Sequence, residues 1–418
     1  MALAATGVET ADRVRRRLIS RVAAILLGVS GVVLMVTTGS ALWGVVRVVV
    51  VVALAAGLLW TQGRSDRISG WAAVGVGILA LPVTGAIAVD HLAATGGSLR
   101  SVAAIIAAAS SAVLLAAGTV RLVRASRGWR RLRAIPVALV LAQFVLVPLT
   151  MATIATNRAP APLGADTPAD RGLDFRDVTL ETADGVELAG WYVPSRNGAA
   201  VLLRHGSGST RTATLAHAEV LAGLGYGVLA LDARGHGASD GTPMALGWYG
   251  NADLARAVDW LAAQPDVRDS RIGAVGLSMG GEEALTLAAV DPRVRAVVAE
   301  GVGVRVAGDV PPGPDDAWLP RTVNAWTTAM TDVLTAASPP PPLDEVVAGI
   351  EPPCRVLIIA GEGEEAQARW LVESSRGNVD LWEPPGAGHI AGLATHPAEW
   401  QRRVAALLAQ TLGATAGG

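Results

Sequence analysis

The chain contains no lysine and a single cysteine, Cys354, in 418 residues. One thiol excludes an internal disulfide framework and any metal site built from several cysteines. Every basic residue is therefore arginine, which reads as genome composition rather than function. Acidic charge is scarce in the first part of the chain. Residues 1–158 carry 4 acidic residues against 16 arginines, and 159–418 carry 32 against 18. The two nets, +12 and −14, sum to the −2 of the whole. An acidic second half argues against a nucleic-acid partner, which needs a basic face.

Apolar residues make up 51% of the chain, and the excess lies before residue 156. A helix crossing a bilayer needs about 20 mostly apolar residues. Five stretches qualify: 18–38, 41–60, 71–89, 102–120 and 134–155. Arg47 sits near one end of the second, where a long side chain reaches the interface. Trp60 and Trp71 bracket the following loop as interfacial aromatics do. Residues 1–158 are thus expected to form an all-α, five-helix transmembrane domain. A buried globular bundle does not account for five nearly uncharged runs. A cleaved signal peptide over 13–41 is disfavoured because further spans follow. These spans hold no carboxylate for an ion or proton path, so the expected partner is the lipid bilayer and the expected role an anchor.

Arginine placement predicts sidedness. Arg13, Arg15, Arg16, Arg17 and Arg21 precede or begin the first span, and Arg64 and Arg67 follow the second. Arg121, Arg124, Arg127, Arg130, Arg131 and Arg133 lie between the fourth and fifth. With five spans all three groups share one side, which the positive-inside rule makes cytoplasmic. Only Arg100 and Arg158 lie opposite. The chain after residue 156 is then extracytoplasmic.

Residues 159–172 read as a linker rich in Pro, Ala and Asp. Residues 173–418 alternate short apolar runs with helical windows. Strands are predicted at 178–180, 186–193, 200–204, 228–232, 272–277, 296–300, 355–360 and 379–382. Leu254, Ala257, Val258 and Leu261 share one helical face, as do Trp400, Val404, Leu407 and Leu408. The pattern predicts an α/β fold with a mostly parallel, doubly wound sheet, its ligands beyond the carboxyl ends of the strands.

Gly276-Leu277-Ser278-Met279-Gly280 falls between a predicted strand and a helical window at 282–290. A turn that sharp leaves no room for side chains beside the serine and pushes its hydroxyl out over the sheet edge. Such a serine needs a base. Of the six histidines, His91 is assigned to a loop of the membrane region, and His217 and His396 to the surface. His205 and His236 are read as shaping their turns. His389, on the Gly-rich loop after the last strand, occupies the base position in a Ser…acid…His order. The acid follows the strand at 355–360, where Glu362, Glu364 and Glu365 all stand; the usual spacing favours Glu364, then Glu365, then Glu362. An oxyanion hole needs two backbone N–H groups, assigned to Met279 and Ser207.

The His205-Gly206 turn, the Asp232–Gly237 turn, the Ser278 elbow, an acid after the seventh strand and His389 together resemble the α/β-hydrolase superfamily. The likeness is to its esterase, lipase and aminopeptidase-like branch, and it does not cover residues 1–158. The family's usual acid is Asp, so a Glu departs from the pattern. The resemblance implies ester, thioester or amide cleavage through an acyl-enzyme on Ser278, with no metal or organic cofactor. It also implies a cap-like insertion at about 302–350, where Trp318, Trp326, Met330 and Leu334 recur at helical spacing. Those four wall an acyl pocket or pack on the sheet. Tethering near a bilayer suggests a small-molecule or lipid-like acyl substrate. A non-catalytic receptor or scaffold of the same fold, and a perhydrolase-type activity on the same triad, are the other readings. The topology is checked by fusing a reporter that works only in the cytoplasm after Ala165: it should be silent, and an active fusion contradicts the extracytoplasmic placement.

Overall fold

The computed structural model describes residues 2–36, 41–125, 140, 142–268, 271–313 and 318–413, with side chains from Val14 onward except at 35–36, 41–47 and 142. It divides into two compact units, Met1–Ala159 with Ala329–Leu334 and the remainder.

The first unit contains helices α1 (Ala2–Val36), α2 (Ala41–Thr61), α3 (Asp66–Thr95), α4 (Leu99–Ala125) and α5 (Val147–Thr156). Among the described residues, three helices are long and apolar enough to cross a membrane: Val14–Leu34 of α1, and all of α3 and α4. The expected second and fifth spans appear as shorter apolar helices, Val48–Thr61 and Gln143–Thr156. Residues 134–139 and 141 of the fifth lie outside the described residues, as do Arg127, Arg130, Arg131 and Arg133. Small residues let α3 and α4 approach closely: a Cβ on Gly118 would stand 2.8 Å from the Gly70 carbonyl oxygen. The Arg121 guanidinium is buried but satisfied, donating to Gln62 at 2.7 Å and Ser20 at 2.9 Å. His91 is buried within α3 rather than in a loop. The helix runs on to Thr95 and ends at Gly96, whose φ of 62° closes it with its N–H on the Leu92 carbonyl. Asp90, within this last part, accepts the Ala159 N–H.

The second unit is built on an eight-stranded sheet of order β1-β2-β4-β3-β5-β6-β7-β8. The strands are β1 (Arg176–Glu181), β2 (Glu187–Val193), β3 (Ala200–Arg204), β4 (Gly227–Leu231), β5 (Ile272–Leu277), β6 (Val294–Glu300), β7 (Arg355–Ile359) and β8 (Val379–Trp382). β2 runs antiparallel to β1 and β4, and the rest are parallel. Every predicted strand is present. Alternating side chains feed two cores: Ala200 and Leu202 face one side, Val201 and Leu203 the other.

The first face is covered by α7 (Gly250–Ala262), α8 (Met279–Val290), α10 (Leu343–Gly349) and α11 (Glu365–Ser374). The second is covered by α6 (Leu215–Gly223) and α13 (Pro397–Leu412). Leu254, Ala257, Val258 and Leu261 are buried on α7, and Trp400, Val404, Leu407 and Leu408 on α13, as their spacing predicts. The expected linker is ordered. Thr167 and Asp170 form a reciprocal cap around a short turn at Pro168–Arg171.

The insertion carries α9 (Trp318–Leu334) and α10. Its base is pinned by Asp309, which accepts backbone N–H groups of Arg305 at 2.7 Å and Leu343 at 2.6 Å. Trp318 and Trp326 are exposed, so ordinary packing on the sheet is not what places them.

α8 buries two adjacent glutamates with different partners. Glu283 is paired with Arg204 at 2.6 Å, both side chains nearly inaccessible. Among the described residues, the one hydrogen bond to the Glu282 carboxyl comes from the Gly303 N–H, at 2.8 Å. Burial pushes the Glu282 carboxyl up to about 7; Arg305 and the Gly303 N–H oppose the shift, and Asp309 and Glu283 add to it. An acid whose folded pKa exceeds its unfolded value stabilises the fold while protonated. That contribution is complete below the unfolded value of 4.5 and lost as pH rises through about 7. Glu282→Gln stays neutral throughout. Thermal unfolding should therefore show wild type losing stability relative to Glu282→Gln between pH 5 and pH 8, on the order of 3 kcal/mol. Parallel pH profiles for the two proteins would contradict this.

Candidate active site

Ser278 is the hinge between β5 and α8, with φ 52° and ψ −120°. A non-glycine residue holds a positive φ only where its surroundings insist on it. Here its N–H donates to the Glu300 carbonyl of β6 at 2.7 Å, and its own carbonyl accepts the N–H groups of Gly281 and Glu282. The flanking glycines leave no alternative. A Cβ on Gly276 would collide with the backbone of Gly280 and Gly281, and one on Gly280 with the end of β3.

The loop after β3 passes close beside the serine: a Cβ on Gly206 would lie 3.2 Å from the Ser278 Cβ. Two histidines hold this loop. His205 accepts the Ala233 N–H on Nε2 at 2.9 Å, so its Nδ1–H donates to the Gly206 carbonyl at 2.7 Å. His236 donates from Nδ1 to the Arg234 carbonyl, and its Nε2 accepts the Gly208 N–H at 3.4 Å. Burial takes the His205 pKa well below its ordinary value, so it is a neutral strut of the turn. Asp232 completes the support by accepting the Arg211 N–H, the Ala238 N–H and the Arg211 guanidinium. Among the described residues no acceptor meets the N–H groups of Ser207 and Met279. Met279 opens α8, where the first N–H groups have no partner within the helix.

His389 follows β8 on the loop at 385–389, its side chain half exposed. Its Nδ1 is hydrogen-bonded to Glu364 Oε1. The other Glu364 oxygen accepts the Gly361 N–H at 2.8 Å. The loops bearing the two residues are stitched by Glu362 N–H donating to the Ala387 carbonyl at 2.8 Å. Of the three glutamates, the structure brings only Glu364 to the imidazole. Glu365 turns to the Gly363 N–H at 2.9 Å, and Glu362 is exposed. With Nδ1 donating to a carboxylate, Nε2 keeps its lone pair for a proton acceptor's work. No hydrogen bond joins His389 to the Ser278 hydroxyl among the described residues. Such bonds are commonly long before a substrate is bound.

Two neighbours of the site escape sequence reasoning. Glu300 ends β6, fully buried: one carboxylate oxygen accepts the Gly392 N–H at 2.7 Å, the other the Trp400 indole N–H at 3.0 Å. Through its backbone it holds Ser278, and through its side chain it holds the loop after His389. Its one sequence signal is a charge closing an apolar strand. Gly301, at φ 72°, comes next; a Cβ there would sit 2.9 Å from His389 Cε1. His217 is buried and edge-on to Trp400 at 5.2 Å between ring centres, not at the surface. His396 is partly buried and contacts the Pro385 carbonyl at 2.8 Å.

A strand–turn–helix serine, a supported loop of free N–H groups and a carboxylate-bound histidine point to acyl-transfer chemistry, and comparison with known proteins agrees on the fold. The family model described as X-Pro dipeptidyl-peptidase (S15 family) matches residues 184–376. An uncharacterised protein of Mycobacterium tuberculosis is 40% identical over 126 residues, 29% of this chain and 44% of that protein. A thiohydrolase of Aspergillus aculeatus is 32% identical over 129 residues, 30% of this chain and 41% of its own. The chain thus spans less than half the length of these relatives. An esterase of Pyrococcus furiosus superposes with a TM-score of 0.51 at 25% identity, covering 61% of this chain and 99% of the esterase. The region following the apolar helices is an α/β-hydrolase domain.

Proposed function

We propose that this protein is a membrane-anchored serine hydrolase that cleaves an ester or thioester through an acyl-enzyme on Ser278. The observation that carries this reading is the Glu364–His389 hydrogen bond, made on a loop next to a serine whose backbone is held at positive φ. In this mechanism Nε2 of His389 takes the Ser278 proton as Oγ attacks the carbonyl carbon, and the C=O electrons move onto oxygen. The Ser207 and Met279 N–H groups stabilise that oxyanion. Glu364 keeps Nδ1 protonated and offsets the charge of the imidazolium. The same proton passes to the departing alcohol or thiol, and water then repeats the sequence to release the acid. All of these steps use side chains and backbone of this chain.

The names of the relatives, an esterase and a thiohydrolase, support a hydrolase. The S15 match favours a second reading in which the scissile bond is an amide. The apolar helices support anchoring in a bilayer, with the hydrolase domain on the extracytoplasmic side by the arginine distribution.

Steady-state kinetics on p-nitrophenyl acetate and on aminoacyl amides tests the roles. Ser278→Ala should abolish turnover above background. Glu364→Gln should lower kcat by about 10³–10⁴-fold, because the amide no longer fixes the histidine tautomer. Glu365→Gln should stay near wild type. Equal losses at Glu364 and Glu365, or an active Ser278→Ala, contradict the assignment. A preference for amides over esters supports the second reading.

A further inference from the structure

Beside the serine lies a cleft of about 500 Å³ that the catalytic steps above do not use. One wall comes from α6 and the turn before it, through Ala213, Ala216 and Val220. The other comes from the short helix α12 (Gly392–Thr395) and the start of α13, through Leu393, Ala394 and Pro397. Its inner end is closed by Gly206, Leu277 and Ile390. These are the residue before Ser207, the residue before Ser278 and the residue after His389. The cleft therefore opens from the same three loops that carry the nucleophile, the oxyanion donor and the base.

Its walls carry no charge; the one charged lining residue stands at the rim. His205 lines it, but both ring nitrogens are engaged with backbone. His217 lines it as well; both its ring nitrogens are buried with no hydrogen-bond partner among the described residues. Burial lowers its pKa to about 4, so the ring, edge-on to Trp400, is neutral and its nitrogens face away from the open cleft surface. Glu219 stands at the rim, exposed and paired with Arg171 at 3.0 Å. Among the described residues, none of the insertion at 302–350 lines the cleft, so Trp318 and Trp326 do not wall it.

We propose that this cleft between α6 and α12 is the specificity pocket, and that it takes a neutral, unbranched apolar limb of the substrate. The proposal rests on Ser278 being the nucleophile. An apolar limb entering here reaches the reacting carbonyl at the inner end while its chain displaces water from alanine, leucine and valine side chains. The limb can belong to the acyl group or to the alcohol, since both leave the same carbonyl.

The test uses the full-length protein and two ester series: p-nitrophenyl esters of lengthening acyl chain, and acetates of lengthening alcohol. Each methylene that enters the cleft should raise kcat/KM by about fourfold until the cleft is filled. Ala216→Trp and Ala394→Trp, on opposite walls and at exposed positions, fill the cleft. Each should flatten the chain-length dependence, lowering the ratio of octanoate to acetate kcat/KM by more than tenfold. Flattening in the acyl series alone assigns the cleft to the acyl limb, and flattening in the alcohol series alone assigns it to the leaving group. Wild-type length dependence retained in both series by both variants overturns the proposal. That outcome is distinct from failure of the serine assignment, in which acetate turnover survives in Ser278→Ala.

Discussion

The candidate site depends on one backbone conformation, the positive φ of Ser278. A non-glycine residue held there costs roughly 1–3 kcal/mol, and the cost is offset by contacts that no relaxed turn would make. The N–H of Ser278 reaches β6, its carbonyl caps α8, and Gly276 and Gly280 let the crossing backbones touch. The result is a hydroxyl at the sheet edge beside the free N–H groups of α8. Glu300 extends the same constraint to the loop of His389. Its backbone carbonyl holds the serine while its carboxylate holds Gly392, three residues beyond His389. Burial raises the Glu300 pKa, against the two N–H groups that favour its anion.

Around this centre, buried charge is used to shape loops. Arg204 with Glu283 ties β3 to α8, Arg211 with Asp232 ties the turn before α6 to the end of β4, and Arg234 with Asp253 ties the turn after β4 to α7. Pairs of this kind add little net stability relative to apolar packing, but removing one partner leaves a buried charge behind. Their effect here is geometric. Asp232 occupies the space that any side chain at Gly237 would need, which fixes the turn carrying His236 and so the loop carrying Ser207. Among the described residues Glu282 has no ion-pair partner, while its neighbour Glu283 is paired with Arg204.

The strands were legible because the apolar runs 200–204, 272–277 and 355–360 are short and bounded by polar turns. The covering helices were legible because Leu254, Val258 and Leu261 recur at 3.6-residue spacing. The serine elbow was legible from its two glycines. Spacing ranks Glu364 ahead of Glu365 and Glu362 without separating them physically; what brings Glu364 to His389 is where α11 begins and the Gly361 N–H it accepts. His217 lies in the core, not at the surface, and a signal for this exists: His217, Ala218 and Leu221 of α6, with Thr214 at its N-cap, form one buried stripe. His91 lies inside α3, not in a loop, because the helix runs past the apolar stretch that ends at Val89 to its cap at Gly96. The apolar window marks the part of the helix that could lie in a bilayer, not where the helix itself stops.

The central claim is that Ser278 is an activated nucleophile. Treatment of the full-length protein with a fluorophosphonate probe, followed by peptide mass spectrometry, tests it most directly. The account predicts one adduct on Ser278, slowed strongly by His389→Ala and absent in Ser278→Ala. An adduct that persists in Ser278→Ala, or no adduct on the folded wild-type protein, would contradict it.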